Sequence, residues 1–148
     1  MALAKKIKLN ISSVIENLDD AGLPEGDLER DSISCSGELI SSPAEITISY
    51  LEKREGGEVN CTVGYSPLGV AVKRSGSVES EMRFAPGKIY KTLYKVPPFS
   101  FDMTIETLRI TGALSEIGGE ITLFYKMTVG GASKKVKMKI AAEIQNES

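Results

Sequence analysis

Apolar and polar residues alternate along most of the chain, in runs that glycine and proline interrupt at intervals of about ten residues. In the run from residue 44 to residue 53, Ile46, Ile48 and Tyr50 fall on one face. The same alternation is present in three further segments, residues 58–65, 121–129 and 134–144. A period of two residues is typical of strands in an antiparallel sheet with one buried face. Because no segment combines helical spacing with end caps, the chain is predicted to be all-β, with about ten strands.

The connections between these runs are short, which favours consecutive strands paired as hairpins. Pro67 can preset the first central dihedral angle of a tight turn, and residues 17–27, the longest irregular stretch, are expected to form an exposed loop. A meander of this many twisted strands tends to curl, and closure removes the edges that invite aggregation. We therefore predict one domain, residues 1–148, that forms an antiparallel up-and-down β-barrel of about eight to ten strands. A two-sheet sandwich is the alternative.

The segment from residue 99 to residue 112 indicates where the barrel wall curves. Its apolar residues change from odd to even positions, with Phe99, Phe101, Met103 and Ile105 before the change and Leu108 and Ile110 after it. A β-bulge near Glu106–Thr107 would restore one buried face to such a strand. The change of parity therefore predicts a bulge in the middle of a long strand.

Two alternating runs meet at Arg74, and this arginine could belong either to a turn or to a binding site. Because Val72 is expected to face inward, we pair it with Val78, which predicts a three-residue turn over residues 74–76. Gly76 would supply the left-handed residue that ends such a turn. Arg74 is then a turn residue at the barrel rim, from which its guanidinium could reach an anionic group near the mouth.

All five tyrosines fall at positions predicted to face the barrel interior. They are Tyr50, Tyr65, Tyr90, Tyr94 and Tyr125. For residues 90 and 94 the assignment follows from the neighbouring lysines, Lys91 and Lys95, which occupy the opposite parity and belong outside. The tyrosines and Arg74 are the candidate ligand-binding residues.

Three phenylalanines could pack with the tyrosine rings, namely Phe84, Phe99 and Phe101. Such rings would line a cavity with apolar walls and a few hydroxyls, which is the composition of small-molecule sites. Alternatively they fill the core, since small barrels are often filled by their own side chains. The sequence leaves both interpretations open.

Histidine is absent from the 148 residues. Its absence excludes His-dependent serine and cysteine nucleophile systems and removes the commonest transition-metal ligand. Four carboxylates fall on faces predicted to be outward, where acid–base pairs would stay solvated: Glu79, Glu81, Asp102 and Glu106. We therefore expect a non-enzymatic protein with no catalytic residues and no cofactor, and an enzyme that uses carboxylate, lysine or tyrosine chemistry remains the alternative.

Cys35 and Cys61 are the two cysteines, and both fall at predicted inward positions. They are expected to be small buried side chains, although a disulfide could form if their strands meet. A zinc site would need two more soft ligands, which the chain lacks. We therefore expect no metal site.

The charge balance limits the classes of molecule that the protein is expected to bind. The net charge of −2 and the pI near 5.3 argue against a general nucleic-acid binder. A cluster of lysines is interpreted as a solvated strand face rather than a site for an anionic partner: Lys134, Lys135, Lys137 and Lys139. The early lysines precede an alternating pattern, so neither a signal peptide nor a membrane span is predicted. We expect a cytoplasmic protein whose partners include neither nucleic acid nor a membrane.

Several motifs resemble the YwiB-like family of small bacterial proteins. They are VKRSGSVESEMRFAPG, Tyr94, DMTIETLRI and LSEIGGEITLFYKMTVGG followed by alternating lysines. The resemblance runs from Val14 to Ile144. That family is a domain of unknown function in the calycin superfamily, so the resemblance implies a lipocalin-like barrel in a cytoplasmic bacterial protein. It supplies no catalytic or binding residues, and the Gly-x-Trp signature of lipocalins is missing because the chain has no tryptophan.

The combined expectation is a barrel that binds a small hydrophobic or amphipathic ligand in its interior. The alternative is an interaction or homo-oligomeric module, such as a homodimer, with a filled barrel. Outward apolar residues would form the contact surface in that case, namely Leu51, Ile89, Leu93 and Phe124. The two hypotheses differ in whether the interior is hollow.

Overall fold

The computed structural model describes residues 4–54 and 56–145, and all regular structure among them is β-strand. The ten strands are β1 (Ala4–Asn17), β2 (Glu29–Ser41), β3 (Ile46–Arg54), β4 (Gly57–Ser66), β5 (Gly69–Gly76), β6 (Glu79–Phe84), β7 (Ile89–Val96), β8 (Phe99–Ser115), β9 (Gly118–Val129) and β10 (Ala132–Ile144). The described residues contain no helix long and apolar enough to cross a membrane. The all-β prediction is confirmed, and the predicted loop follows β1 with residues 20–28 exposed.

The strands form one closed antiparallel barrel in which each strand pairs with the next. The first and last strands complete the wall: Ile7 lies opposite Ile144, and Asn17 lies opposite Lys134. The up-and-down barrel predicted from the alternation is therefore confirmed, and the sandwich is not formed. Every predicted inward run of β3, β4, β9 and β10 faces the interior of this barrel.

Apolar side chains fill one end of the barrel, the end at which β1 begins and β10 ends, which we call the closed end. Its fully buried aliphatic side chains include Ile7, Leu9, Leu39, Ile48, Ile121 and Ile140. Each occupies an inward position in the period-two alternation of its strand. Full burial of an isoleucine or leucine contributes about 1.5–3 kcal/mol, so this packing is a principal source of stability.

The inward positions become polar toward the opposite end, where β1 ends and β10 begins, which we call the open end. The change occurs on four strands, from Ile33 to Asp31, from Tyr50 to Glu52, from Val72 to Arg74 and from Val136 to Lys134. On β1 the inward Ser13 lies between Ile11 and Ile15. Polar inward residues cannot extend the apolar packing of the closed end. The interior is therefore divided into an apolar plug and a polar mouth.

The predicted bulge in β8 is confirmed within two residues. The pairing of β8 with β9 shifts between Thr107 and Arg109, which leaves Leu108 as the additional residue. Leu108 is 51% exposed, and the even positions after it, beginning with Ile110, face inward. The bulge thus restores one buried face to a strand whose apolar parity changes.

The predicted pairing of β5 with β6 is wrong. Val72 lies opposite Met82 rather than Val78, and Arg74 lies opposite Ser80, so the chain turns at residues 77–78. Because the true partner of Val72 is displaced by an even number of residues, every side chain keeps its predicted face. Arg74 therefore points into the barrel from the middle of a hairpin instead of standing in a turn at the rim.

Gly76 has a different role from the one predicted. It lies inside β5 opposite Val59, with φ at +140°. A Cβ at this position would lie 2.3 Å from the carbonyl oxygen of Glu58. The glycine therefore permits a close approach between β4 and β5, and it does not form the turn.

We expect Gly76→Ala to lower the free energy of unfolding by about 2–4 kcal/mol, because the methyl group must displace the β4 backbone. Gly87→Ala is the matched control: its φ is +75°, but nothing lies within 4 Å of the added Cβ. The control should lose only about 1 kcal/mol, from the positive φ. Urea unfolding followed by circular dichroism measures both. Equal losses would contradict the close approach.

Candidate functional site

A cavity of about 300 Å³ lies inside the barrel at the open end. Its apolar wall consists of Ile15, Met82, Met103, Met127, Val129, Val136 and Met138. Its polar wall consists of Ser13, Asp31, Arg74, Ser80, Tyr94, Tyr125 and Lys134. Eight strands enclose an interior that side chains just fill, and ten strands enclose a wider one, which leaves room for this space. The volume is at the lower end of the range for small-molecule sites.

All four methionines of the described residues line the cavity: Met82, Met103, Met127 and Met138. They come from β6, β8, β9 and β10, so they surround the space from several sides. Methionine is unbranched, flexible and polarizable, which allows it to fit apolar groups of different shapes. The apolar wall is therefore adaptable rather than shaped for one rigid molecule.

Arg74 projects from the inward face of β5, between Cys61 on β4 and Ser80 on β6. Its Nε atom is buried and has no hydrogen-bond partner among the described residues. The positive charge of the guanidinium partly offsets the effect of burial on the pKa values of Tyr50, Cys61 and Tyr125. The guanidinium therefore lies close to all three side chains, inside the barrel.

A buried polar cluster lies beside Arg74 and consists of Tyr50, Glu52 and Cys61. Glu52 is 4% exposed, and its Oε2 accepts a hydrogen bond from the Cys61 thiol at 3.6 Å. Tyr50 lies directly opposite Cys61 in the pairing of β3 with β4. Burial raises the pKa of the Cys61 thiol and of the Tyr50 hydroxyl. The thiol therefore stays protonated at neutral pH, which makes it a poor nucleophile.

Tyr125 belongs both to the packed core and to the cavity wall. Its ring packs on Phe84, with ring centroids 4.7 Å apart at an interplanar angle of 60°. Burial raises the pKa of Tyr125 to about 12. Its hydroxyl is therefore neutral at physiological pH and can donate a hydrogen bond into the cavity.

Residues 23–140 match the family model described as a domain of unknown function, DUF1934. This span includes most of the barrel and all but two of the residues that line the cavity, Ser13 and Ile15. The chain belongs to this family. The resemblance noted from the sequence motifs is therefore confirmed.

Two relatives support the membership in DUF1934. The chain is 30% identical over 124 residues to the uncharacterized beta-barrel protein YwiB of Bacillus subtilis (strain 168), covering 84% of this chain and 82% of the relative. It also superposes on the crystal structure of the ywiB protein from Bacillus subtilis with a TM-score of 0.84 and 29% identity. That alignment covers 97% of this chain and 94% of the other. The DUF1934 barrel and its solved relative therefore share one fold.

The DUF1934 barrel brings together three of the six predicted site residues, since Arg74, Tyr94 and Tyr125 line the cavity. Tyr50 is buried beside Arg74 but is not part of the cavity wall. Tyr65 lies opposite Ile46, near the closed end, and packs against the core. The predicted set is therefore divided along the barrel axis.

Tyr90 lies apart from the cavity because two strands separate. β6 pairs with β7 only at residues 79–80, opposite residues 94–95, and the strands diverge toward the closed end. Tyr90 lines an outer groove there, with the guanidinium carbon of Arg83 at 6.0 Å from its ring centroid. The inward parity of Tyr90 therefore does not bring its ring into the shared interior.

The phenylalanines also divide between core and rim. Phe84 is buried, as predicted for a ring that packs inside. Phe99 and Phe101 are 64% and 41% exposed, and their rings stack at 6.4 Å. Both lie at the start of β8, at the open end, so the expectation that they line the interior is wrong.

Sequence reasoning missed three charged residues on the inward face: Asp31, Glu52 and Lys134. Each shares the parity of apolar neighbours on its strand, which was the available signal. Lys134 was assigned to the solvated lysine face, whereas it lines the cavity. Lys135, Lys137 and Lys139 are exposed, as that interpretation requires.

The two cysteines are free thiols on strands that β3 separates, Cys35 on β2 and Cys61 on β4. Within residues 4–54 and 56–145, no group of three His, Cys, Asp or Glu side chains could hold a metal ion.

We expect the two thiols to differ sharply in reactivity, because Cys61 is 1% exposed and Cys35 is half-buried. In a Cys35→Ser variant at pH 8, the remaining thiol should react with a disulfide reagent about a thousandfold more slowly in the folded protein than in urea, since opening limits the reaction. The Cys61→Ser variant is the matched control and should react while folded. A Cys61 thiol that reacts equally fast in both states would contradict the buried cluster.

Proposed function

We propose that the barrel binds a small, partly apolar molecule in the cavity at the open end. One observation carries the proposal: a space of about 300 Å³ surrounded by four methionines persists in a barrel whose other end is solidly packed. Apolar walls with a few convergent polar groups are the usual composition of a ligand site. The packed side chains of the closed end make the barrel rigid, and the open end gives a ligand access to the cavity.

In this role the barrel binds the molecule and does not catalyse a reaction on it. The buried carboxylate of Glu52 does not line the cavity, and the neighbouring thiol of Cys61 is protonated. Neither group is therefore placed to act on a molecule bound against the methionines. We also propose a calycin-like barrel in the cytoplasm, a compartment in which free thiols such as Cys35 and Cys61 persist.

Methionine methyl groups report directly on binding. We expect octan-1-ol and octanoate to shift the 13C-methyl resonances of the four lining methionines. Ser80→Phe places a ring in the cavity and should weaken binding by roughly tenfold or more. Ser100→Phe is the matched control because residue 100 is exposed on the outer face. If neither molecule moved any lining methyl group, the proposed function would be wrong.

A second candidate function, self-association, is favoured by an unpaired edge of β2. β3 pairs only with residues 37–41 of β2, although β2 begins at Glu29. Among the described residues, the edge of residues 29–36 that faces away from β1 has no paired strand. Its outward side chains near the centre, Ser32, Ser34 and Ser36, are exposed.

This edge lacks the usual protection against strand addition. Residues 32–36 contain no charge, no proline and no bulge, and their register with β1 is continuous. Edge strands normally carry such features to prevent pairing with another chain. Two copies of β2 that pair antiparallel about a twofold axis at Ser34 would place serine opposite serine. We therefore propose a second copy of this chain as the occupant.

The outward apolar residues predicted as a contact surface are less suitable. Leu51, Ile89 and Leu93 are exposed, but they lie on β3 and β7, which three strands separate. Phe124 is covered by Arg109, whose guanidinium carbon lies 4.2 Å from the ring centroid. These side chains do not form one patch, so the edge of β2 is the better interface.

We expect the wild-type protein to be a dimer by size-exclusion chromatography with light scattering. Ser34→Lys should give a monomer, because two ammonium groups would face each other at the twofold axis. Ser100→Lys, at an exposed outer position on β8, where Ser100 lies opposite Lys95 of β7, should leave the dimer intact. A monomeric wild-type protein at high micromolar concentration would exclude this second function.

A further inference from the structure

We infer that Arg74 binds the acidic group of the ligand, and that the ligand is a small organic monocarboxylate with an apolar chain or ring. This inference rests on the proposed function, because it assigns a chemical class to the molecule in the cavity. It makes Arg74 the anchor of the site and the methionines its apolar wall.

The first argument is the missing partner of the guanidinium. No hydrogen bond or ion pair joins the Arg74 side chain to another residue in the described part of the chain, and Nε is fully buried. Buried polar groups nearly always have a partner, and arginine cannot become neutral in a protein. The buried Nε–H of Arg74 is therefore a hydrogen-bond donor that an acceptor from outside the chain can take.

The second argument is a row of donors across three neighbouring strands. Arg74 on β5 lies opposite Ser80 on β6, and Ser80 lies opposite Tyr94 on β7. Directly opposed residues share one face, with Cβ atoms about 4.5–5.5 Å apart. All three side chains line the cavity. The guanidinium and two hydroxyls can therefore donate to the oxygens of one bound anion.

The third argument is the charge of the cavity wall. Among the described residues of the wall, Arg74 and Lys134 are cationic and Asp31 is anionic, so these three side chains carry a formal net charge of +1. Glu52 lies outside the wall, where its Oε2 accepts a hydrogen bond from the Cys61 thiol. The charge of the wall therefore favours an anionic ligand over a cationic one.

The geometry of the groups selects a carboxylate among anions. A planar guanidinium binds a carboxylate through two parallel hydrogen bonds, which give both strength and orientation. At about 30 Å³ for each water-sized group, the cavity accommodates on the order of ten non-hydrogen atoms. With the carboxylate at Arg74, the apolar part would lie against Met103 and Met138. Octanoate is a straight-chain monocarboxylate of about this size.

The test compares octanoate with octan-1-ol by isothermal titration calorimetry on wild type, Arg74→Gln and Lys73→Gln. Arg74→Gln should weaken octanoate binding by roughly ten- to a hundredfold, since a charge-assisted hydrogen bond is lost, and should change octan-1-ol binding less than about twofold. Lys73→Gln is the matched control, because Lys73 is the adjacent residue on the outer face and its ammonium lies 3.7 Å from a carboxylate oxygen of Glu81. This control should leave both affinities unchanged.

The outcomes separate the two proposals. If neither molecule binds, the proposed function itself fails. If both bind and Arg74→Gln weakens them equally or not at all, the cavity binds ligands but Arg74 is not the anchor, and the inference is overturned. Tighter binding of octyl phosphate than of octanoate to the wild type would overturn the assignment of a carboxylate.

A measurement on the wild type decides the question if Arg74→Gln does not fold. The Nε–H resonance of Arg74, buried in the free protein, should shift on addition of octanoate and stay in place with octan-1-ol. Thermal unfolding of each variant identifies a folding defect beforehand. An Nε–H resonance that does not respond to saturating octanoate would overturn the inference without any substitution.

Discussion

Closure of ten antiparallel strands into a single wall is the constraint on which the rest of the structure depends. In a closed wall each side chain points either to water or into one shared interior, and the direction alternates at every residue. Near the closed end, an inward residue such as Val72 meets side chains from the other strands and must be apolar. Two residues further along the same strand, Arg74 meets the cavity instead. One rule of alternation therefore produces both the packed core and the polar mouth.

The alternation was sufficient to predict the barrel, most of its inward faces and a bulge in β8 within two residues of the one at Leu108, because each of these follows from which residues share a face. It could not predict the pairing of β5 with β6. A slip by an even number of residues leaves every face unchanged, so the hydrophobic pattern does not specify that register. The local turn signal was also misleading, since Gly76 is required by its contact with the backbone of Glu58, a residue distant in the sequence.

The candidate site was predictable only in part, for a related reason. Asp31, Glu52 and Lys134 occupy inward parity, but a charge on a strand normally indicates the solvent face. That expectation holds at the closed end and fails at the open end, where a polar side chain can face a cavity. Tyr90 is the reverse case: its parity is inward, but the separation of β6 from β7 turns it toward an outer groove. Both exceptions depend on the shape of the whole barrel, which one strand does not encode.

The pairing of the first strand with the last has a practical consequence. At the closed end, the backbone N–H of Gln145 donates to the carbonyl oxygen of Lys6 at 2.9 Å, so the described ends of the chain lie side by side and far from the mouth. A fusion partner, or a covalent tether to a sensor chip, that is attached next to residue 4 or residue 145 would hold the barrel by its closed end. Immobilised in this way, the molecule would present its opening to the surrounding solution.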